Sequence, residues 1–319
     1  MRNAFSTTLV DAARRDGRIR LLTGDHGYAL FDEFRKVCPQ QYINAGVAEQ
    51  NMVGVAAGLA KAGLRPIVYG LSAFMPVRVL EQIKMDVCYE QLPVVFTGDG
   101  AGVVYSSLGT SHQCTEDVAA LRALPHMSIL SPADAHEMGP CLQMAIDAER
   151  PAYVRMGKAD LGAVHAVPPQ LEWGRLCAVK PGTGALAWIA TGSMVKTALT
   201  VAGEWADSSV WSAPFIKPLD ANQVAEICRT HRAVIVLEEH SIHGGLASAI
   251  AEISTSSAPA WICSVGIQDR FSKYCGTYDY LMHEHKLTAD AVRVQVESFL
   301  ERSQLYCPRT CAIEKRDAA

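Results

Sequence analysis

Short apolar, β-branched runs alternate with longer stretches of helical spacing along most of the chain, and this rhythm limits the fold more than any other feature. The runs fall at residues 19–22, 66–69, 92–97, 127–130, 152–155, 186–189, 209–211 and 233–237. The helical stretches include 49–62, 77–91, 115–124, 134–148 and 196–205. Strand, helix, strand in that order predicts parallel sheets with helices on both faces, a doubly wound α/β architecture. Ser131-Pro132-Ala133-Asp134 and Lys217-Pro218-Leu219-Asp220 each set a proline and an acid ahead of a helical stretch and read as helix starts. Residues 161–182 contain Pro168-Pro169 and Pro181-Gly182 with little apolar periodicity, so they read as a linker. The division is then a domain at 1–160, a smaller one at 183–301 and a tail at 302–319.

A length of 319 residues leaves room for two domains with real cores. With 49% hydrophobic and 19% charged residues the chain lies far from disordered composition. A net charge of −4 offers no electrostatic footprint for nucleic acid or a membrane surface. No apolar run approaches the ~20 residues of a bilayer span, and the first residues lack the apolar core of a signal peptide. Ten cysteines in a chain of this length read as reduced thiols of a cytoplasmic protein, not as a disulfide scaffold.

Several motifs imitate chemistry. Gly98-Asp99-Gly100 follows an apolar run and could open a metal–diphosphate loop. None of the four asparagines (Asn3, Asn44, Asn51, Asn222) follows at the spacing that would complete it, so it reads as a turn leaving a strand. Gly182-Thr183-Gly184-Ala185-Leu186-Ala187 fits the loose dinucleotide pattern but precedes a strand, where no helix N-terminus could meet a pyrophosphate. Cys307 with Cys311, and Glu239-His240 with His243, lack a second pair at zinc spacing. His283 and His285 lie in a polar stretch and read as solvated, and no G-x-S-x-G elbow marks a hydrolase. No metal ligand is assigned to the chain.

Asn44-Ala45-Gly46-Val47-Ala48-Glu49-Gln50-Asn51 runs straight into a helix rich in Gly54, Ala56, Ala57, Gly58 and Ala60. So many small residues cost helix propensity but admit another backbone at close range. Glu49 at the helix start could simply complement the helix dipole. Read with its companions it says more. Residues 42–60 (YINAGVAEQNMVGVAAGLA), 72–84 (SAFMPVRVLEQIK), 109–117 (GTSHQCTED) with the following Arg122-Ala123-Leu124-Pro125, and 151–158 (PAYVRMGK) resemble, in order, the pyrimidine-binding domain of the transketolase family. Ala190-Thr191-Gly192-Ser193, Ile216-Lys217-Pro218-Leu219-Asp220, and Glu238-Glu239-His240 through Gly244-Gly245-Leu246 resemble that family's C-terminal domain.

The resemblance implies a thiamine diphosphate site of which this chain holds the pyrimidine half. In that family a glutamate bound to the pyrimidine ring nitrogen drives the tautomer that deprotonates the thiazolium carbon, and burial raises such a carboxyl's pKa usefully. Glu49 takes that role and Phe74 stacks on the pyrimidine. Asp25 falls in an acidic segment near the cofactor. His112 faces the reacting substrate, with Gln113 beside it, and holds or protonates an oxygen. Arg78 and Arg155 match arginines near the cleft and are expected either to clamp a substrate phosphate or to form structural ion pairs.

One residue departs from the family pattern. Leu108 stands where classical members carry the aspartate that binds hydroxyls of the ketose donor, so a standard sugar-phosphate donor is not implied. The chain also begins where the pyrimidine domain begins. The Mg2+ and diphosphate are therefore expected from an N-terminal transketolase subunit, with α2β2 as the simplest closed assembly. Two other functions fit the same domains. A β subunit of a 2-oxoacid dehydrogenase would pass an acyl group to a lipoyl carrier, and a non-catalytic copy would serve as scaffold. Ala48-Glu49-Gln50, His112-Gln113 and Glu238-Glu239-His240 favour the transketolase reading.

Overall fold

The computed structural model describes residues 1–27, 29–158 and 161–305. The first half runs α1 (Arg2–Arg15), β1 (Ile19–Thr23), α2 (Asp32–Val37), β2 (Tyr42–Asn44), α3 (Glu49–Lys61), β3 (Arg65–Leu71), α4 (Leu80–Gln82, continued by a π-helical turn Ile83–Cys88), β4 (Val95–Asp99), α5 (Asp117–Arg122), β5 (Ser128–Leu130), α6 (Ala135–Asp147) and β6 (Ala152–Met156). The second half runs β7 (Cys177–Lys180), β8 (Leu186–Ala190), α7 (Met194–Ala202), β9 (Ser209–Ser212), β10 (Phe215–Lys217), α8 (Ala221–Thr230), β11 (Ala233–Ser241), α9 (Leu246–Ser257), β12 (Trp261–Ile267), α10 (Tyr278–Glu284) and α11 (Ala289–Arg302).

These strands make a seven-stranded sheet ordered β10-β5-β6-β4-β3-β1-β2 and a five-stranded sheet ordered β12-β11-β8-β9-β7. Pairing is parallel except for the edge strands β10 and β7. The period of two along each strand builds the layers. Ile67 and Tyr69 of β3 face the core under α1, α2 and α6, whereas Val68 between them faces α3 and α5. In the second sheet Trp188 faces α7, α10 and α11, and its neighbours Ala187 and Ile189 face α8 and α9. Both helix starts read from the sequence are realised. Asp134 caps α6 by accepting from the His136 and Glu137 N–H groups, and Asp220 caps α8 through Asn222 and Gln223.

Two elements go beyond the sequence reading. The segment read as a linker contains β7, which pairs with β9 as an edge strand. Between the two halves there is also a strand exchange, since β10 follows β9 in the chain but pairs antiparallel with β5 of the first sheet. Phe215 of β10 is fully buried there against Trp173, ring centroids 5.0 Å apart. A three-residue strand has no periodicity to read, and its partner lies some 85 residues earlier, so only the folded chain reveals it. No helix among the described residues is long and apolar enough to cross a membrane. Cys307 and Cys311 lie outside the described residues.

Candidate active site

The parallel strands β1, β3, β4 and β6 all end at one edge of the first sheet, where open α/β folds bind their ligands. The loop after β2 leads into Glu49 at the start of α3, the loop after β3 carries Phe74 and Arg78, and the loop after β4 carries His112. Gly46, at φ +67, lets the chain turn sharply from β2 towards α3, and the Asn44 side chain accepts from its N–H at 2.9 Å. Glu49 then opens the first turn of α3, where the helix dipole favours a carboxylate.

Four expected site residues form one chain of contacts. Arg78 Nη1 lies 3.3 Å from Glu49 Oε1, and its guanidinium carbon lies 4.0 Å from the centroid of the Phe74 ring. The Phe74 and His112 rings are 5.2 Å apart at an interplanar angle of 65°. His112 sits in a 3₁₀ turn, Thr110–His112, with Nδ1 3.0 Å from Ser111 Oγ. The Glu49 side chain keeps 12% of its surface open, so it is shielded yet reachable. Leu108 closes the preceding turn, exposed to solvent.

Other residues fall elsewhere. Of the two roles expected of Arg155, the structure shows the ion pair: the residue is only 3% exposed, with its Nε and Nη2 engaged. Its Nε donates to Asp117 Oδ2 at 2.8 Å and its Nη2 to the Glu239 carbonyl at 2.9 Å. Burial alone would raise the Asp117 carboxyl, but Arg155 and a hydrogen bond from Tyr153 hold it below its ordinary value. Gln113 is buried and accepts from Ser272 Oγ at 2.7 Å, which in turn is 2.8 Å from His285 Nε2. His285 is thus buried, not solvated: the hydroxyl of Ser272, thirteen residues earlier, pairs with its Nε2, while its Nδ1 has no partner among the described residues. Asp25 lies exposed beyond β1.

Asp99 of the GDG motif ends β4 buried, accepting from Tyr69 at 2.6 Å and pairing with Arg2 at 3.2 Å. Gly98 is required by packing, since a Cβ there would meet the Tyr153 hydroxyl at 2.3 Å. Glu239 braces the two halves, accepting from the Val103 N–H at 2.8 Å, the Tyr278 hydroxyl at 2.7 Å and Ser193.

Sequence reasoning missed His26. It follows Asp25 at the carboxyl end of β1, stacks 5.7 Å from Tyr69, and has a buried Nε2 without a partner among the described residues. Burial lowers its pKa against the opposing charges of Glu49, Asp99 and Asp25, which favours the neutral ring. The signal that points to it is its position, at the end of a central parallel strand.

The site as built offers a carboxylate, an aromatic face, two imidazoles and a guanidinium in the loops and helix start beyond the carboxyl edge of the first sheet. That set fits a flat, nitrogen-rich ring. Glu49 is an acceptor held by the exposed Arg78, Phe74 is half-buried, and His26 has an unsatisfied ring nitrogen.

Comparisons with known proteins agree with this architecture. Residues 1–163 match the transketolase pyrimidine-binding domain, and residues 178–292 match the transketolase C-terminal domain. A subunit of the apulose-4-phosphate transketolase of Phocaeicola vulgatus is 32% identical, covering 88% of this chain and 92% of that one. The 6-deoxy-6-sulfo-D-fructose transketolase subunit SqwH of Clostridium sp. (strain MSTE9) is 30% identical over 95% of both chains. The 1-deoxy-D-xylulose-5-phosphate synthase of Pseudoalteromonas translucida is 32% identical over 93% of this chain, which spans only 48% of that enzyme. A solved structure described as a split gene transketolase, inactive β4 tetramer, superposes with a TM-score of 0.86 at 32% identity, covering 94% of this chain and 98% of the other. Two domains matched in order, with relatives of the same length, make this chain a member of the transketolase family.

Proposed function

We propose that the chain is the pyrimidine-side component of a split, thiamine diphosphate-dependent transketolase. It transfers a two-carbon ketol unit to an aldehyde acceptor and works only with a second subunit that binds the diphosphate and Mg2+. The observation that carries this reading is the contact chain Glu49–Arg78–Phe74–His112 on the carboxyl edge of the first sheet. Relatives of matching length are named as subunits of transketolases, which supports a two-component enzyme. The β4 form of the solved relative is described as inactive, in accord with a missing partner.

Bound thiamine diphosphate supplies the thiazolium carbon that accepts the transferred unit. Glu49 would hold a proton at the pyrimidine ring nitrogen, and Phe74 would support the ring's face. His112, with Nδ1 beside Ser111, has Nε2 to hold or move a proton at a substrate oxygen. Arg78 has room to turn from Glu49 towards a substrate phosphate, because its side chain is 47% exposed. A face for the partner is also present. Val47, Val55, Met85 and Tyr89 are exposed around α3, and a Cβ added at Gly54 or Gly58 would meet nothing within 4 Å.

The test is to reconstitute the chain with its diphosphate-binding partner and assay ketose phosphates, free ketoses and 2-oxoacids. Ketol transfer from a ketose supports the proposal. Turnover confined to 2-oxoacids with a lipoyl acceptor, or activity that survives Glu49→Gln, refutes it.

A further inference from the structure

Away from the Glu49–His112 cluster, three separate elements bring one potential metal ligand each to a common point. Glu137 lies on α6 of the first domain, His165 on the connecting segment, and Cys177 on β7 of the second sheet. Their ligand atoms all lie within 4.8 Å of one another. We propose that Glu137, His165 and Cys177 form a divalent-metal site, with zinc as the ion and water in the fourth position, clasping the two domains through their connection.

The donor chemistry favours zinc. A thiolate, an imidazole and a carboxylate together suit a borderline-soft ion, whereas Mg2+ and Ca2+ select oxygen. The surroundings hold the ligands in place as an outer shell does. Glu137 is fully buried, and its second oxygen accepts from the Ala133 N–H at 2.7 Å, leaving Oε1 to face His165 Nε2 at 2.7 Å. The His165 backbone is fixed by its N–H to Asp134 Oδ2 at 2.9 Å, the same aspartate that caps α6. Cys177 is positioned by pairing with Ser212 of β9. The His165 side chain keeps 10% of its surface open and Cys177 is half-buried, which leaves an ion a narrow way in. Nothing in the proposed transfer reaction uses these residues, so the site stands or falls independently of that reaction.

The experiment uses the full chain stripped with a chelator and titrated with Zn2+ by calorimetry, then with Co2+ by absorption spectroscopy. One Zn2+ per chain is expected, with Co2+ showing the near-ultraviolet charge-transfer band of a thiolate ligand. His165→Ala and Cys177→Ser should each weaken Zn2+ binding at least tenfold, and Cys177→Ser should remove the band. The exposed Cys275 provides a control, because Cys275→Ser should leave both readings unchanged. Glu137→Gln serves if either of the first variants fails to fold, and it should weaken binding to the same degree. Absence of stoichiometric binding would mean a hydrogen-bonded Glu137–His165 pair beside an idle thiol and would overturn the proposal. Binding that none of these variants moves would overturn it as well.

Discussion

The guanidinium of Arg78 pairs with the Glu49 carboxylate at 3.3 Å while lying 4.0 Å over the Phe74 ring. It is a flat, cationic donor held by an acceptor and an aromatic face, the same contacts that the pyrimidine of the cofactor is expected to make. On the proposed function, Arg78 occupies the contacts that the pyrimidine would take. In the reconstituted enzyme, Arg78→Met should leave apparent cofactor affinity equal to or tighter than wild type. It should also raise KM for a phosphorylated substrate by roughly 10–100-fold, as expected for the loss of a charge-assisted hydrogen bond. Steady-state kinetics with cofactor and substrate varied separately distinguish the two effects.

Replacing Glu49 by Gln removes the carboxylate proposed to hold a proton, with almost no change in shape. A loss of about 10²–10⁴ in kcat is expected, the range for a positioned acid–base group. Stability should hold, because Glu49 keeps contact with solvent and opens the helix from its first turn.

The buried pair between Asp117 and Arg155 joins the two halves through the Glu239 carbonyl. Arg155→Met leaves Asp117 charged and unpaired and should cost about 3–5 kcal/mol, measured by urea denaturation. The Asp117 pKa is lowered on folding despite its burial, so its contribution is complete above the ordinary aspartate range. That contribution is lost as pH falls through the depressed folded value. Asp117→Asn should accordingly flatten the acid limb of the stability profile.

Gly58 faces open space on α3 with an ordinary helical backbone, so a larger residue there strains nothing within the chain. Gly58→Trp should keep monomer stability within about 1 kcal/mol, the scale of glycine's helix penalty. It should abolish assembly with the partner in sedimentation velocity.

Leu108 is exposed beside the His112 turn, and on the resemblance it stands where an acid would accept hydrogen bonds from donor hydroxyls. Leu108→Asp should raise kcat/KM for a polyhydroxylated ketose phosphate by roughly tenfold relative to the native donor, since polar recognition dominates such choices. Stability should change little at so exposed a position.

What was legible in the sequence follows from range. Val68 between Ile67 and Tyr69 writes the two faces of β3 locally, and Asp134 and Asp220 write their helix starts within three residues. The residues around Glu49, Phe74 and His112 are contiguous motifs, so they could be named before their contacts were seen. Contacts made across the chain leave no such trace. Arg155 reads in isolation as either a clamp or an ion-pair arginine, and only the fold decides it by burying Asp117, 38 residues earlier, against it. His285 reads as solvated until Ser272 and the loop around it cover the ring. Strand β10 escapes because three residues carry no period, and His26 because one histidine in a loop carries no motif.

Calorimetric titration of thiamine diphosphate with Mg2+ tests the central claim most directly. The isolated chain, its partner and the reconstituted pair would be titrated in parallel. The account predicts tight binding by the pair alone and only weak binding by the isolated chain, which supplies half of the site. Tight, stoichiometric binding by the isolated chain would contradict it.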